Sequence, residues 1–270
     1  MQKLAEKKEK PIAFFDSGVG GLSVLAVAVH CLPHEDFIYY GDTAHAPYGR
    51  KSKAEVQALS LQVAEILMAR GCKALVVACN TATSAAVHLL REQLPIPVIG
   101  MEPAVKPALE HGDQGKVLVM ATPLTLQEEK FHDLCQRCEV DLAKVLLVPC
   151  PTLVELVEQG CIAGRQVEQE LVKIFAAIDT SSVATVVLGC THYLFLKEAL
   201  TRIFPLGVSF IDGNLGTVRQ LTRVLANLDL LREEEQVSSK VELLTSGGES
   251  ARQLLQKLYT SAYEKMEGLK

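Results

Sequence analysis

The chain has 270 residues, 49% of them hydrophobic and 22% charged, with a formal net charge of −5 and no tryptophan. That balance excludes a disordered chain and a basic nucleic-acid surface, and no apolar run approaches the roughly 18 residues that a membrane-spanning helix needs. Eight cysteines behind an opening Met1-Gln-Lys-Leu-Ala-Glu-Lys-Lys-Glu-Lys10, which lacks the apolar stretch of an export signal, read as reduced thiols in a cytoplasmic protein.

After a charged, solvated tail over 1–10, short valine-rich apolar runs recur at 12–15, 37–40, 74–78, 98–100, 117–120, 145–148, 183–188 and 208–211. Continuous rather than alternating apolar runs suit strands buried on both faces of a parallel sheet. Helical patterns separate them. Val56, Leu59, Val63, Ile66 and Leu67 share one helical face, and Gly71 stands where that helix should stop. The alternation predicts an α/β protein with doubly wound, mainly parallel sheets. The likeness of 74–87 to 185–196 predicts two similar α/β domains, formed by 11–101 plus 213–270 and by 102–212. The chain would cross between them at 99–103 and 210–214, leaving a ligand site in the cleft.

The chemistry of such folds gathers where strands end. The first strand runs into Asp16-Ser17-Gly18-Val-Gly20-Gly21. Asp16 there is suited to hold or deprotonate a thiol and Ser17 to bond an amine; equally, Asp16 fits a helix cap in a glycine-rich turn. The dinucleotide fingerprint is not met. Gly41-Asp42-Thr43-Ala-His45-Ala-Pro47-Tyr48-Gly49-Arg50 follows the second strand; Tyr48 or the Gly49 backbone can meet a substrate, against the plainer reading of a Pro-Tyr-Gly turn with a solvated arginine.

Cys79-Asn80-Thr81 is more specific. A cysteine at a strand end, opening a helix, has free amides and a helix dipole that lower a thiol pKa and can hold a carboxylate. Cys190-Thr191-His192 repeats the arrangement at 190 and adds an imidazole. Either cysteine alone reads as an ordinary buried residue. Together they predict two thiols on opposite faces of one substrate, one removing a proton from a carbon and one delivering it. Glu155, in Pro151-Thr-Leu-Val-Glu155, reads by itself as a first-turn helix carboxylate. Cys135-Gln-Arg-Cys138 beside His132 lacks a second cysteine pair at zinc spacing, so no metal is expected. Cys31, Cys72, Cys150 and Cys161 read as packing residues.

Taken in order and spacing, Asp16-Ser17-Gly-Val-Gly-Gly, Gly-Asp-Thr with Pro47-Tyr48-Gly49, Cys79-Asn80-Thr81-Ala and Gly189-Cys190-Thr191-His192-Tyr193 resemble glutamate racemases of the aspartate/glutamate racemase family. Val98-Ile-Gly-Met-Glu-Pro and Thr245-Ser-Gly-Gly are similar to family segments as well, so the likeness covers nearly the whole chain. The resemblance implies interconversion of L- and D-glutamate without pyridoxal phosphate or metal, the D-form feeding bacterial peptidoglycan. It implies two α/β domains with the site between them and, recurrently, a homodimer. It assigns Cys79 and Cys190 to the two proton transfers, Asp16 to assist Cys79, and His192 with Glu155 to assist Cys190. Ser17, Tyr48, Gly49, Asn80, Thr81, Thr191 and His192, with Asp16, match its substrate-contact positions. Leu194 stands where many relatives have proline, and Ala44-His45-Ala46 replaces an Ala-Arg pattern before Pro-Tyr-Gly. Rival readings are a racemase of aspartate, a single-cysteine amidohydrolase and an amino-acid binding protein; the last two leave one or both thiols idle.

Overall fold

The computed structural model describes residues 2–101, 104, 105, 107, 108, 115–127, 144–232 and 239–267. In chain order the elements are α1 (Gln2–Lys8), β1 (Ile12–Asp16), α2 (Leu22–Cys31), β2 (Phe37–Gly41), α3 (Lys53–Ala69), β3 (Ala74–Val77), α4 (Asn80–Gln93) and β4 (Val98–Gly100). Then come β5 (Lys116–Ala121), α5 (Pro123–Gln127), β6 (Val145–Pro149), α6 (Pro151–Glu158), α7 (Arg165–Phe175), β7 (Val183–Leu188), α8 (Lys197–Leu200) and β8 (Ser209–Ile211). The last are α9 (Asn214–Asn227), β9 (Val241–Thr245) and α10 (Glu249–Glu267).

The strands form two all-parallel sheets, ordered β4-β3-β1-β2-β9 and β6-β5-β7-β8. Read from its own first strand, the second sheet repeats the order of the first: strands one and three lie side by side, two and four outside them. The eight apolar runs each form one of these strands. β9 was not among them. It lies at a sheet edge with Glu242 exposed, so it never reads as a continuous apolar run.

Connections leave the central strands on opposite faces. Leu22 and Leu25 of α2 pack into the core shared by the facing sides of the two sheets, whereas Ala82, Ala86 and Leu90 of α4 pack on the far side of the first sheet. Each fully buried Leu or Phe in these layers contributes about 1.5–3 kcal/mol. The divergence opens a crevice at the C-terminal ends of β1 and β3, the switch point where parallel sheets place ligands. In the second sheet α5 sends Leu126 to one face while Tyr193 and Leu196, after β7, join the shared core, so β5 and β7 open a matching crevice.

Local chemistry sets the helix ends. Ser52 and Glu55 form a reciprocal capping box at the start of α3, and Gly71, with φ of +75°, ends that segment in the left-handed region. Val56, Val63 and Leu67 of α3 are buried as its pattern predicts, while Ile66 is exposed. The segment expected as a solvated tail is helical over Gln2–Lys8. Lys73, almost wholly buried, donates to the Lys8 carbonyl at 2.6 Å and pairs with buried Glu35 at 2.5 Å, while Lys8 pairs with Asp229. Of the four cysteines read as packing, Cys72 and Cys150 are buried and Cys161 is half-buried. Cys31 is exposed, since it closes α2 beyond the buried stripe that ends at Val29.

Candidate active site

Cys79 leaves the end of β3 and caps α4; its Sγ accepts from the Ala82 amide at 3.4 Å and donates to Ser17 Oγ at 3.5 Å. Ser17 follows Asp16, the last residue of β1. Asp16 is fully buried; its Oδ1 accepts from the Gly18 amide at 2.7 Å and its Oδ2 from Thr191 Oγ1 at 3.2 Å. Burial pushes the Asp16 carboxyl up to about 6, against the opposing pull of His192. The same burial, with Asp16 adding to it, pushes the Cys79 thiol up to about 12. The helix N-terminus therefore does not leave Cys79 with a lowered pKa, as the sequence suggested. One amide on the sulfur is outweighed by the loss of water and a neighbouring carboxylate.

Cys190 follows β7 at the matching place. What it opens is a 3-10 turn over Thr191–Leu196, with one turn of α8 behind it, rather than a long helix. Three residues per turn stack Tyr193 over Leu196, both fully buried. His192 lies back over the thiol, with Nδ1 3.6 Å from Cys190 Sγ. Its other nitrogen, Nε2, meets Glu158 Oε1 at 2.5 Å. Burial opposes a charge on His192, but Cys190 and Glu158 outweigh it and raise its pKa well above the ordinary value. In the charged form that this favours, both ring nitrogens donate, Nδ1 toward Cys190 and Nε2 to Glu158.

The contact expected between Glu155 and His192 is not formed. Glu155 lies one turn earlier on α6 and pairs through Oε1 with Arg50 Nη2; the carboxylate on His192 is Glu158. Both face the same way along the helix, three residues apart, and only Glu158 reaches deep enough. Its Oε1 also accepts from the Val19 amide at 2.9 Å. The glycines of the first loop make room for this. A Cβ on Gly18 would stand 1.8 Å from Glu158 Oε1, and one on Gly20 2.3 Å from His192 Nδ1.

Tyr48 is buried edge-on to Phe15, and its hydroxyl donates to Asp42 Oδ2 at 2.6 Å; Asp42 also holds His45 Nδ1 at 2.8 Å. Gly49 lies against Thr122, where a Cβ would come within 2.8 Å of the threonine Cβ. Thr81 Oγ1 is 2.9 Å from Thr122 Oγ1, which is in turn 2.9 Å from Thr125 Oγ1. Asn80 is 3% exposed, and its Oδ1 has no hydrogen-bond partner among the described residues.

Asp16, Ser17, Cys79, Cys190, Thr191 and His192 are thus joined in one contact network, with Asn80, Thr81, Tyr48 and Gly49 on its first-sheet side. Sequence reasoning missed Glu158, Asp42, Thr122 and Thr125. Thr122 had a usable signal, because it follows the first strand of the second sheet as Asp16-Ser17 follow that of the first. His132, Cys135 and Cys138 lie outside the described residues; among those described, no three His, Cys, Asp or Glu side chains are placed to hold a metal ion. A cavity of about 640 Å³ adjoins the network, lined by Pro47, Glu155, Glu158, Ser250 and Leu254 among others.

The model of one family, described as Asp/Glu/Hydantoin racemase, matches residues 23–221. A glutamate racemase of Clostridium botulinum (strain Langeland / NCTC 10281 / Type F) is 49% identical over 242 residues, 88% of this chain and 92% of that protein. Among solved structures, the glutamate racemase of Francisella tularensis in complex with D-glutamate superimposes with a TM-score of 0.79 at 29% identity, over 93% of this chain and 94% of the other. That of Escherichia coli, in complex with L-glutamate and the activator UDP-MurNAc-ala, gives 0.80 at 29% identity, over 94% and 95%.

Proposed function

The chain belongs to the Asp/Glu/Hydantoin racemase family, and from that premise we propose that it interconverts L- and D-glutamate with two thiols and no cofactor. It is an isomerase, and its D-product supplies bacterial peptidoglycan synthesis. The observation that carries the mechanism is the pair of buried cysteines behind corresponding strands of two like-ordered sheets, linked by the Asp16–Thr191 hydrogen bond.

The α-hydrogen of an amino acid is a weak acid, so the developing carbanion must be stabilised as it forms. In one direction Cys190, beside the His192 cation, takes the proton, and the electron pair on the α-carbon spreads into the carboxylate. Cys79, which holds its proton at neutral pH, delivers it to the opposite face. The other enantiomer reverses the two roles. The amides and hydroxyls of Ser17, Asn80, Thr81 and Thr191 are the donors that face the carboxylates, with Tyr48 and the Gly49 backbone closing the site. The unpartnered Oδ1 of Asn80 is a ready acceptor for the substrate ammonium. Asp16 and the Glu158–His192 pair hold the charges of the two halves apart, as pairs of differently tuned acids and bases require.

The proposal includes a homodimer in the cytoplasm, which sedimentation and cell fractionation test, and the division of the chain into 11–101 plus 213–270 and 102–212. Proton exchange in D₂O from pure L- and then pure D-glutamate tests the chemistry. The wild type should exchange and invert both without added cofactor, with aspartate as the control. Cys79→Ser and Cys190→Ser should each lose turnover by roughly 10²–10⁴-fold, with residual exchange biased to opposite enantiomers. A wild type that leaves the α-hydrogen of glutamate in place refutes the reading.

A further inference from the structure

We propose that the Arg50–Glu155 ion pair is a latch across the mouth of the cleft, and that its release limits access to the two thiols. The inference rests on the reading of the two-cysteine cleft as the active site. Arg50 closes the short 3-10 turn Tyr48–Arg50 after β2, so it is carried by the first sheet; Glu155 is on α6 and is carried by the second. The pair therefore bridges the two sheets, with the Arg50 side chain 57% exposed and the Glu155 side chain 33%, its Oε1 covered.

Both ends of the bridge are coupled to the site. Arg50 directly follows Tyr48 and Gly49, and Gly49 is seated on Thr122 of the opposite unit. Glu155 stands one turn from Glu158, which holds His192. Glu155, Glu158 and Pro47 line the same 640 Å³ cavity, so the Glu155 end of the pair shares that cavity with the carboxylate that holds His192. Behind it the cysteines are shut in, Cys79 at 5% and Cys190 at 6% exposure. Glutamate therefore cannot reach them unless the cleft opens. The two units are also joined by the neutral hydroxyls of Thr81 and Thr122 and, deeper in the site, by the hydrogen bonds of the Val19 amide to Glu158 and of Thr191 to Asp16.

A partly exposed pair has the right strength for this task. Surface ion pairs shift an equilibrium only by about two- to fivefold and are screened by salt, so the latch biases the cleft toward closure without locking it. A buried pair in the same place would leave a stranded charge whenever the cleft opened.

The test reads opening directly, without turnover. Iodoacetamide labelling of the substrate-free protein is followed at each cysteine by peptide mass spectrometry, with exposed Cys31 as the internal reference. Arg50→Gln and Glu155→Gln should each speed labelling of Cys79 and Cys190 by about two- to fivefold at low salt, with Cys31 unchanged. The reversed pair, Arg50→Glu with Glu155→Arg, should return labelling toward the wild-type rate. Sodium chloride at 1 M should bring the wild type up to the single variants and leave those variants unmoved. Unchanged labelling of both active-site cysteines in both single variants overturns the latch, as does a rise of equal size at Cys31, which would report general loosening. Because no substrate is present, a failed latch and a failed racemase reading register in separate experiments.

Discussion

Cys79 and Cys190 occupy the same place in two sheets of the same strand order, yet the protein surrounds them by different means. Cys79 caps the long α4, receives one backbone amide, and lies against a carboxylate that burial holds near 6. Cys190 opens a six-residue 3-10 turn and has the His192 imidazole 3.6 Å away, biased toward its cation and braced by Glu158. A thiol kept protonated faces a thiol beside a cation. The repeated topology supplies two equivalent positions, and the side chains then make them unequal, which a reaction that takes a proton on one face and gives it on the other demands.

The largest expected effect comes from removing the brace. Glu158→Gln leaves His192 without its carboxylate, and loss of a charge-assisted hydrogen bond should lower kcat/KM by roughly 10–150-fold. Deuterium exchange should show the greater loss from the enantiomer whose proton Cys190 takes. Equal losses from both would mean that the halves are not separately tuned. Gly18→Ala should give a smaller loss in the same direction, about tenfold, because the new methyl pushes the flexible end of Glu158 off His192 and off the Val19 amide. Its thermal midpoint should move little, so a large fall in Tm would assign the defect to folding.

Asp16 offers the mildest probe, through pH. Its folded pKa of about 6 lies above the ordinary 3.8, so the folded state holds the proton more tightly. The stability this contributes is complete below about pH 4 and is lost as pH rises through 6, at no more than about 1.4 kcal/mol per unit. Asp16→Asn should flatten that slope in denaturant titrations from pH 4 to 7, and should remove any acid limb near 6 from kcat/KM. A slope unchanged by the substitution would place the titration elsewhere.

Much of this was legible in the residues. Buried parallel strands announce themselves by unbroken valine-rich runs, and chemistry placed at strand ends drew attention to Asp16, Cys79 and Cys190. The edge strand β9 stayed hidden because its exposed Glu242 breaks the run. The choice between Glu155 and Glu158 was beyond pattern reading. Two glutamates three residues apart share a helix face, and only the depth of the opposing His192 separates them. Arg50 read as solvated for the same kind of reason, since its partner lies more than 100 residues away on another sheet. The pKa of Cys79 was expected on the wrong side of normal, because burial is a property of the assembled site and not of the helix that Cys79 caps.

The first sheet is finished by β9, and α10 then covers α2, so residues 241–267 complete a layer begun at residue 12. The second sheet needs only residues 116–211. As the chain leaves the ribosome, the later-starting half has all its strands in hand while the earlier one still waits for its edge. Cys79 is thus made first, but its sheet receives its edge strand last.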